Sequence, residues 1–420
     1  MLNRSAVGCD DRVDAESGRA AAPSVMFYSH DTYGLGHLRR TLALAHFLRS
    51  QRPITQLIVT GSPLPQRFPL PTGADYLKLP SAVKVGAEQY EPRSLNVPFR
   101  VLRTLRRDLL LATARELRPS VLVVDNVPGG LKRELVPTLH HLKSVGCRVV
   151  LGLRDIVDEA DWVRESWTTN GSYELLDDVY DRILVYGERS IYDVADAYRF
   201  SATAAAKTRY VGYLGRAPAQ RSRDEIRRDL GIGDAPLVLV MAGGGEDGFE
   251  VLRAVLAALR LHENGPGFEC LLIGGPLMPP EHKRAVLELV RKPRVRYLDF
   301  VDDVAGYLGA ADAVVSMGGY NSVCELLSLR KPALIMPRVE PRREQLIRAR
   351  LLSRGGFLRM IEPAEVEPRR LLDELTMLLE PSQPRSMPMR GLPAAADELD
   401  EFLGARKERR AATPSERVHG

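Results

Sequence analysis

The first residue in this sequence placed to move a proton is a histidine at the exit of a glycine-rich turn. The run Ser29-His30-Asp31-Thr32-Tyr33-Gly34-Leu35-Gly36-His37-Leu38-Arg39-Arg40 follows an apolar stretch and opens an amphipathic one. A histidine held there can accept a proton from a hydroxyl near neutral pH, although the same residue could do no more than brace its loop. Asp125 closes the apolar run Val121-Leu122-Val123-Val124. Ligands of open α/β sheets lie beyond the carboxyl ends of the strands, so Asp125 is expected in the same crevice as His37. A carboxylate behind a histidine sets its tautomer and stabilises the cation formed on proton capture. Capping a following helix is the plainer role for such an aspartate.

The most specific pattern lies in the second half. An apolar run ends in Ser316-Met317-Gly318-Gly319, and Tyr320-Asn321-Ser322-Val323-Cys324-Glu325 opens a helical pattern. Exposed N–H groups at a helix start, with Asn321 and Ser322 as capping side chains, make an anion site suited to a diphosphate. Glu325, one turn further in, could accept from sugar hydroxyls. An ordinary cap explains Asn321 to Glu325 by itself. It leaves unexplained the Pro-flanked strand that follows and the pair Glu344-Gln345. A weaker element, Gly243-Gly244-Gly245, follows an earlier strand and would let backbone approach a phosphate or simply form a tight turn. Gly34-Leu35-Gly36 lacks the third glycine of a dinucleotide fingerprint, and no GKS or GKT is present, which tells against NAD, FAD and a P-loop.

The elements that must position these residues are written in the hydropathy pattern. Short apolar runs at 24–29, 56–60, 121–125, 148–153 and 182–186 alternate with helical stretches such as 38–49 and 99–117. The alternation restarts at 237–241, 269–273, 295–298, 313–316 and 333–336. That is the signature of parallel sheets with crossover helices, an α/β protein built from two doubly wound halves. A chain of 420 residues is too long for one ordinary core. The halves are expected to join near 211–223, where turn and linker residues gather. This divides the chain into a disordered segment 1–22, a first domain 23–215, a second domain 216–380, and a tail 381–420 that is partly helical, then disordered.

With 45% hydrophobic and 27% charged residues and a net charge of +5, the composition is that of a soluble protein with a mild basic excess. Arginine clusters such as Arg103, Arg106 and Arg107 lack interleaved aromatics and read as solvated helix faces, so no nucleic-acid partner is expected. Four widely spaced cysteines suggest neither a zinc site nor a disulfide framework. The polar N-terminus lacks the apolar stretch of a signal peptide, and no run reaches the roughly 18 apolar residues of a membrane span. A cytoplasmic protein is expected, with peripheral contact to the inner face of the membrane left open.

Taken together, these motifs resemble the GT-B nucleotide-sugar glycosyltransferases, in particular family 28 and the plant UDP-sugar transferases. The resemblance implies two Rossmann-like domains facing across a cleft, with His37 of Gly36-His37 as catalytic base and Asp125 as its partner. It implies a nucleotide diphosphate sugar donor, UDP- or dTDP-linked, bound by Gly318, Gly319, Asn321, Ser322 and Glu325, with Glu344 and Gln345 on the sugar and the Phe300-Val301 segment on the base. Met317 stands where the plant motif has a histidine, so phosphate charge would fall to helix N–H groups and to Arg338, Arg342 or Arg343. No Asp-x-Asp pair follows a strand in the second half, and no metal or cofactor is assigned. The expected reaction is an inverting sugar transfer to a small-molecule or lipid-linked acceptor hydroxyl. A nucleotide-sugar hydrolase or epimerase, or a non-catalytic glycan binder on the same scaffold, are the alternatives.

Overall fold

The computed structural model describes residues 23–30, 36–86, 89–215, 218–261, 267–290 and 294–411, with side chains to residue 404. The loop at 31–35 and the termini 1–22 and 412–420, about which the sequence raised expectations, lie outside the described residues.

Two parallel sheets carry the chain. The first orders its strands β3-β2-β1-β6-β7-β8-β9, with β1 at Ser24–Ser29, β2 at Thr55–Thr60, β3 at Ala74–Lys78, β6 at Val121–Asp125, β7 at Arg148–Arg154, β8 at Arg182–Tyr186 and β9 at Thr208–Tyr210. A small antiparallel pair, β4 (Ala82–Lys84) and β5 (Tyr90–Pro92), lies between β3 and β6 in sequence. The second sheet orders β12-β11-β10-β13-β14-β15, with β10 at Leu237–Met241, β11 at Glu269–Ile273, β12 at Val295–Leu298, β13 at Ala313–Ser316, β14 at Ala333–Ile335 and β15 at Arg359–Met360.

Strand order explains where a site can form. β1 pairs with β2 on one side and β6 on the other, so the chain leaves β1 and β6 toward opposite flanks and a crevice opens at their carboxyl ends. The same reversal occurs at β10, flanked by β11 and β13. The central strands are buried on both faces, which is why they read as unbroken apolar runs. The strands missed in the sequence are short or lie at edges. β3, β9 and β15 each carry half-buried or exposed residues and lack an apolar signature.

One core cluster runs through both halves, from Val25, Phe27 and Leu38 to Leu239, Val314 and Val323. The helix Gly391–Ala411 returns to the first half. Its Ala395, Leu399 and Leu403 are buried in that cluster, while Arg52 pairs with Asp400 and Arg182 with Glu398 and Glu401. Arg106 departs from the expected solvated face. It is fully buried and grips Glu134 with two bonds of 2.7 Å, because Glu134 is buried with it. Among the described residues no helix is long and apolar enough to cross a membrane.

Candidate active site

Gly36 and His37 open the helix Gly36–Gln51 directly after the β1 crevice. Nδ1 of His37 lies 2.5 Å from Oδ2 of Asp125, at the end of β6. A donor–acceptor pair with that carboxylate requires Nδ1 to carry the proton, which leaves the Nε2 lone pair as the basic atom. Asp125 is shared. Arg40, one turn along the same helix, donates to Oδ1 at 2.7 Å and to Oδ2 at 2.6 Å. Burial alone would raise the Asp125 carboxyl, but the Arg40 charge and the His37 and Arg40 hydrogen bonds overcome it and hold the group well below the usual carboxylate range. His30, at the end of β1, packs its ring 4.5 Å from that of His37. Burial and the neighbouring His37 push its pKa well below the ordinary value, and its buried Nδ1 has no partner among the described residues.

His37 borders two cavities. The one facing the second half, about 240 Å³, is lined by Gly36, Gly243, Gly244, Phe300, Val301, Gly319, Asn321, Ser322, Glu325, Arg338, Glu344 and Gln345. Asp125 stands behind His37 rather than in the wall. Gly245 and Gly318 are also outside the wall and serve the turns. Gly245 sits at φ +97°, where a Cβ would meet the Gly274 carbonyl at 2.7 Å. Gly318 sits at φ +77°, where a Cβ would strike Ile335 at 2.6 Å.

The helix start differs from the expected one. The helix Tyr320–Leu329 is capped by Gly319 with no side-chain cap, and Asn321 instead donates from Nδ2 to the Gly36 carbonyl at 2.9 Å. Asn321 thus joins the two halves, and Gly319, Tyr320, Asn321 and Ser322 at the helix start line the cavity.

Glu325 is met by Arg39 at 2.5 Å through Oε1, while Oε2 is buried without a partner among the described residues. Glu344 accepts from Arg338 at 3.0 Å through Oε1, and its Oε2 is likewise unpartnered. Gln345 accepts from the Arg338 backbone at 3.2 Å. Both of these unpartnered oxygens are buried, on residues that line the same cavity.

Of the arginines considered for phosphate, Arg338 lines both cavities and Arg342 lines the larger. Arg343 lines neither and turns to Glu159 at 2.7 Å. Arg154, which the sequence reading missed, lines both cavities at the end of β7, the same strand-end position that pointed to Asp125. Burial lowers its pKa to about 10, with the Glu344 charge opposing. A second glycine turn, Gly274-Gly275, backs the Gly243–Gly245 loop and was also overlooked, although it too follows an apolar strand.

The larger cavity, about 460 Å³, lies on the first half and includes Trp162 and Trp167. Tyr28 and Tyr173 are not in its wall. Tyr28 is buried against Glu134 at 2.7 Å, and Tyr173 bonds the Tyr198 carbonyl at 2.5 Å.

Residues 237–400 match the glycosyltransferase family 28 C-terminal domain. Over 162 residues the chain is 32% identical to the UDP-N-acetylglucosamine–N-acetylmuramyl-(pentapeptide) pyrophosphoryl-undecaprenol N-acetylglucosamine transferase of Acetivibrio thermocellus, covering 38% of this chain and 43% of that protein. With the protein of the same name from Rubrobacter xylanophilus the identity is 29%, over 44% and 54% of the two chains. The chain therefore spans about half the length of the curated relatives it matches. In structure it is similar to the calicheamicin glycosyltransferase CalG4, at a TM-score of 0.59 with 17% identity over 92% of this chain and 99% of that one. It is also similar to MurG of Acinetobacter baumannii, at 0.55 with 15% identity over 91% and 99%. The fold is GT-B, with two Rossmann-like domains. These structural likenesses show the fold, and the match to the family 28 C-terminal domain covers residues 237–400 alone.

Proposed function

We propose that this protein transfers a sugar, with inversion, from a nucleotide diphosphate sugar, UDP- or dTDP-linked, to an acceptor hydroxyl. The observation that carries this reading is His37, which borders both cavities with its Nδ1 held by Asp125 and its Nε2 available. The donor lies in the 240 Å³ cavity and the acceptor in the 460 Å³ one. Nε2 takes the acceptor proton as that oxygen attacks the anomeric carbon, and the bond from that carbon to the diphosphate oxygen breaks on the opposite face. Charge developing on the diphosphate meets the start of the helix Tyr320–Leu329 and the guanidinium groups of Arg154 and Arg338, in place of a metal ion. Oε2 of Glu325 and of Glu344 accept from ribose and sugar hydroxyls. A cavity of about 460 Å³ is far larger than an attacking water needs, which favours transfer over hydrolysis.

Purified protein supplied with UDP- and dTDP-sugars should release nucleotide diphosphate much faster with a suitable acceptor than with water alone, in EDTA as well as without it. His37→Ala should slow release about 100-fold or more and leave affinity for the free diphosphate nearly intact. Wild-type turnover in His37→Ala would remove the base assignment. Equal release with water as sole acceptor would favour the hydrolase.

A further inference from the structure

The larger cavity is unlike the donor cavity in charge. Among the described residues its wall holds seven lysines and arginines and a single carboxylate, Glu344, which already pairs with Arg338. In the donor cavity, four arginines face Asp247, Asp302, Glu325 and Glu344. The excess sits in Lys84 at the end of β4, Arg103 of the helix Phe99–Leu117, and Lys132 and Arg133 in the loop after β6.

That loop is held in a costly shape. Asn126, Gly130, Lys132 and Arg133 all have positive φ, at 67°, 71°, 45° and 65°. Holding a non-glycine residue there costs on the order of 1 kcal/mol, and two consecutive long cationic side chains bear it here. The surroundings enforce it. Glu134, the next residue, is fully buried and accepts from Arg106 twice and from the Tyr28 hydroxyl, each at 2.7 Å. The Tyr28 hydroxyl in turn accepts from the Leu131 backbone at 3.1 Å. Arg106 also donates to the Pro80 carbonyl at 2.7 Å, tying the loop to the approach to β4 and Lys84. A buried ion pair is a poor source of stability in itself, but it fixes geometry, and here it fixes two cations at the wall of the cavity that holds His37. The Lys132 ammonium lies over the Tyr90 ring at 5.6 Å, and Arg133 bonds the Asn170 carbonyl.

We infer that the acceptor carries an anionic group, a phosphate or a carboxylate, seated on Lys84, Arg103, Lys132 and Arg133 while its hydroxyl reaches His37. This inference rests on the proposed transferase reading for what happens at His37, but the anion site can be tested apart from it.

Calorimetry on the full chain separates the two cavities. UDP titrated alone reads the donor cavity. With UDP held at saturation, glucose 1-phosphate, glucuronate and methyl glucoside then read the other. At least one anionic probe should bind, at least tenfold more tightly than methyl glucoside, and should weaken as ionic strength rises. Binding of the phosphate alone, or of glucuronate alone, identifies which anion the site takes. The double variant Lys132→Gln with Arg133→Gln should lose at least tenfold in affinity for that probe, with its melting temperature as the fold control. Arg103→Gln, on an exposed helix face, is the second variant. The inference is overturned if methyl glucoside binds as well as both anions, if neither anion binds, or if both variants bind like the wild type. Variant-sensitive anion binding in a protein that ignores UDP would keep the anion site and sink the donor reading.

Discussion

Asp125 has three bonds to satisfy at once, one from His37 and two from Arg40, and it can do so only as a carboxylate. Its folded-state pKa is depressed because the Arg40 charge, together with the His37 and Arg40 hydrogen bonds, overcomes the desolvation that burial imposes. The stability that the ionised group contributes is therefore present above its unfolded value of about 3.9 and is lost as pH falls through the folded one. Within that window the unfolded chain holds one more proton than the native one. Asp125→Asn removes this proton from the balance. The slope of unfolding free energy against pH below about pH 4 should become shallower by up to about 1.4 kcal/mol per pH unit. Slopes are the quantity to compare, since an amide facing the buried Arg40 lowers stability at every pH. Urea unfolding at a series of pH values provides the measurement, and identical slopes would remove Asp125 from the account. The same variant should turn over about 100-fold or more slowly, because an amide cannot balance an imidazolium on His37.

Secondary-structure elements differ in how much of their role can be read from residues alone. β1, β6, β10 and β13 are covered on both faces, so their residues must be apolar and their ends announce the crevice. His37 and Asp125 were legible as neighbours because one opens a helix and the other ends a strand at the same crevice, and Glu325 because it lies one turn into a helix that follows a glycine turn. Arg40 and Arg154 were not, since an arginine in a helix or after a strand ordinarily reads as solvated and only tertiary packing reveals a buried partner. The role of Asn321 was obscured in the same way, its acceptor lying 285 positions away on Gly36. The helix Gly391–Ala411 was recognisable as a helix, and Ala395, Leu399 and Leu403 share one face at four-residue spacing. Nothing local says that this face returns to the first half. Its packing predicts that Leu399→Ala lowers stability by about 2–5 kcal/mol, as a fully buried leucine should. A disposable tail would show no change in the urea midpoint.

The whole molecule depends on how its two halves are fastened, because the proposed donor groups and the proposed base come from opposite ones. Asp155, just past β7, accepts from Arg348 of the helix Glu344–Arg354 at 2.8 and 2.7 Å, and from the Tyr213 hydroxyl at 3.0 Å. Both members of the ion pair are buried. Arg348 also donates to the Gly318 carbonyl at 3.1 Å, in the turn before the helix Tyr320–Leu329. One guanidinium thus fastens the halves and holds the turn of the proposed diphosphate cradle. Replacing Asp155 alone by Ala leaves a buried, uncompensated cation and should cost about 3–5 kcal/mol in stability. Replacing both, Asp155→Leu with Arg348→Leu, removes both charges and should recover much of that loss. It cannot restore the bond to Gly318. UDP affinity in the double variant should therefore stay about tenfold below wild type, a change of about 1.4 kcal/mol, even where the urea midpoint has returned. Calorimetry and unfolding on the same preparations read the two effects separately. If the double variant regained stability and bound UDP like the wild type, the pair would fasten the halves without setting the donor site.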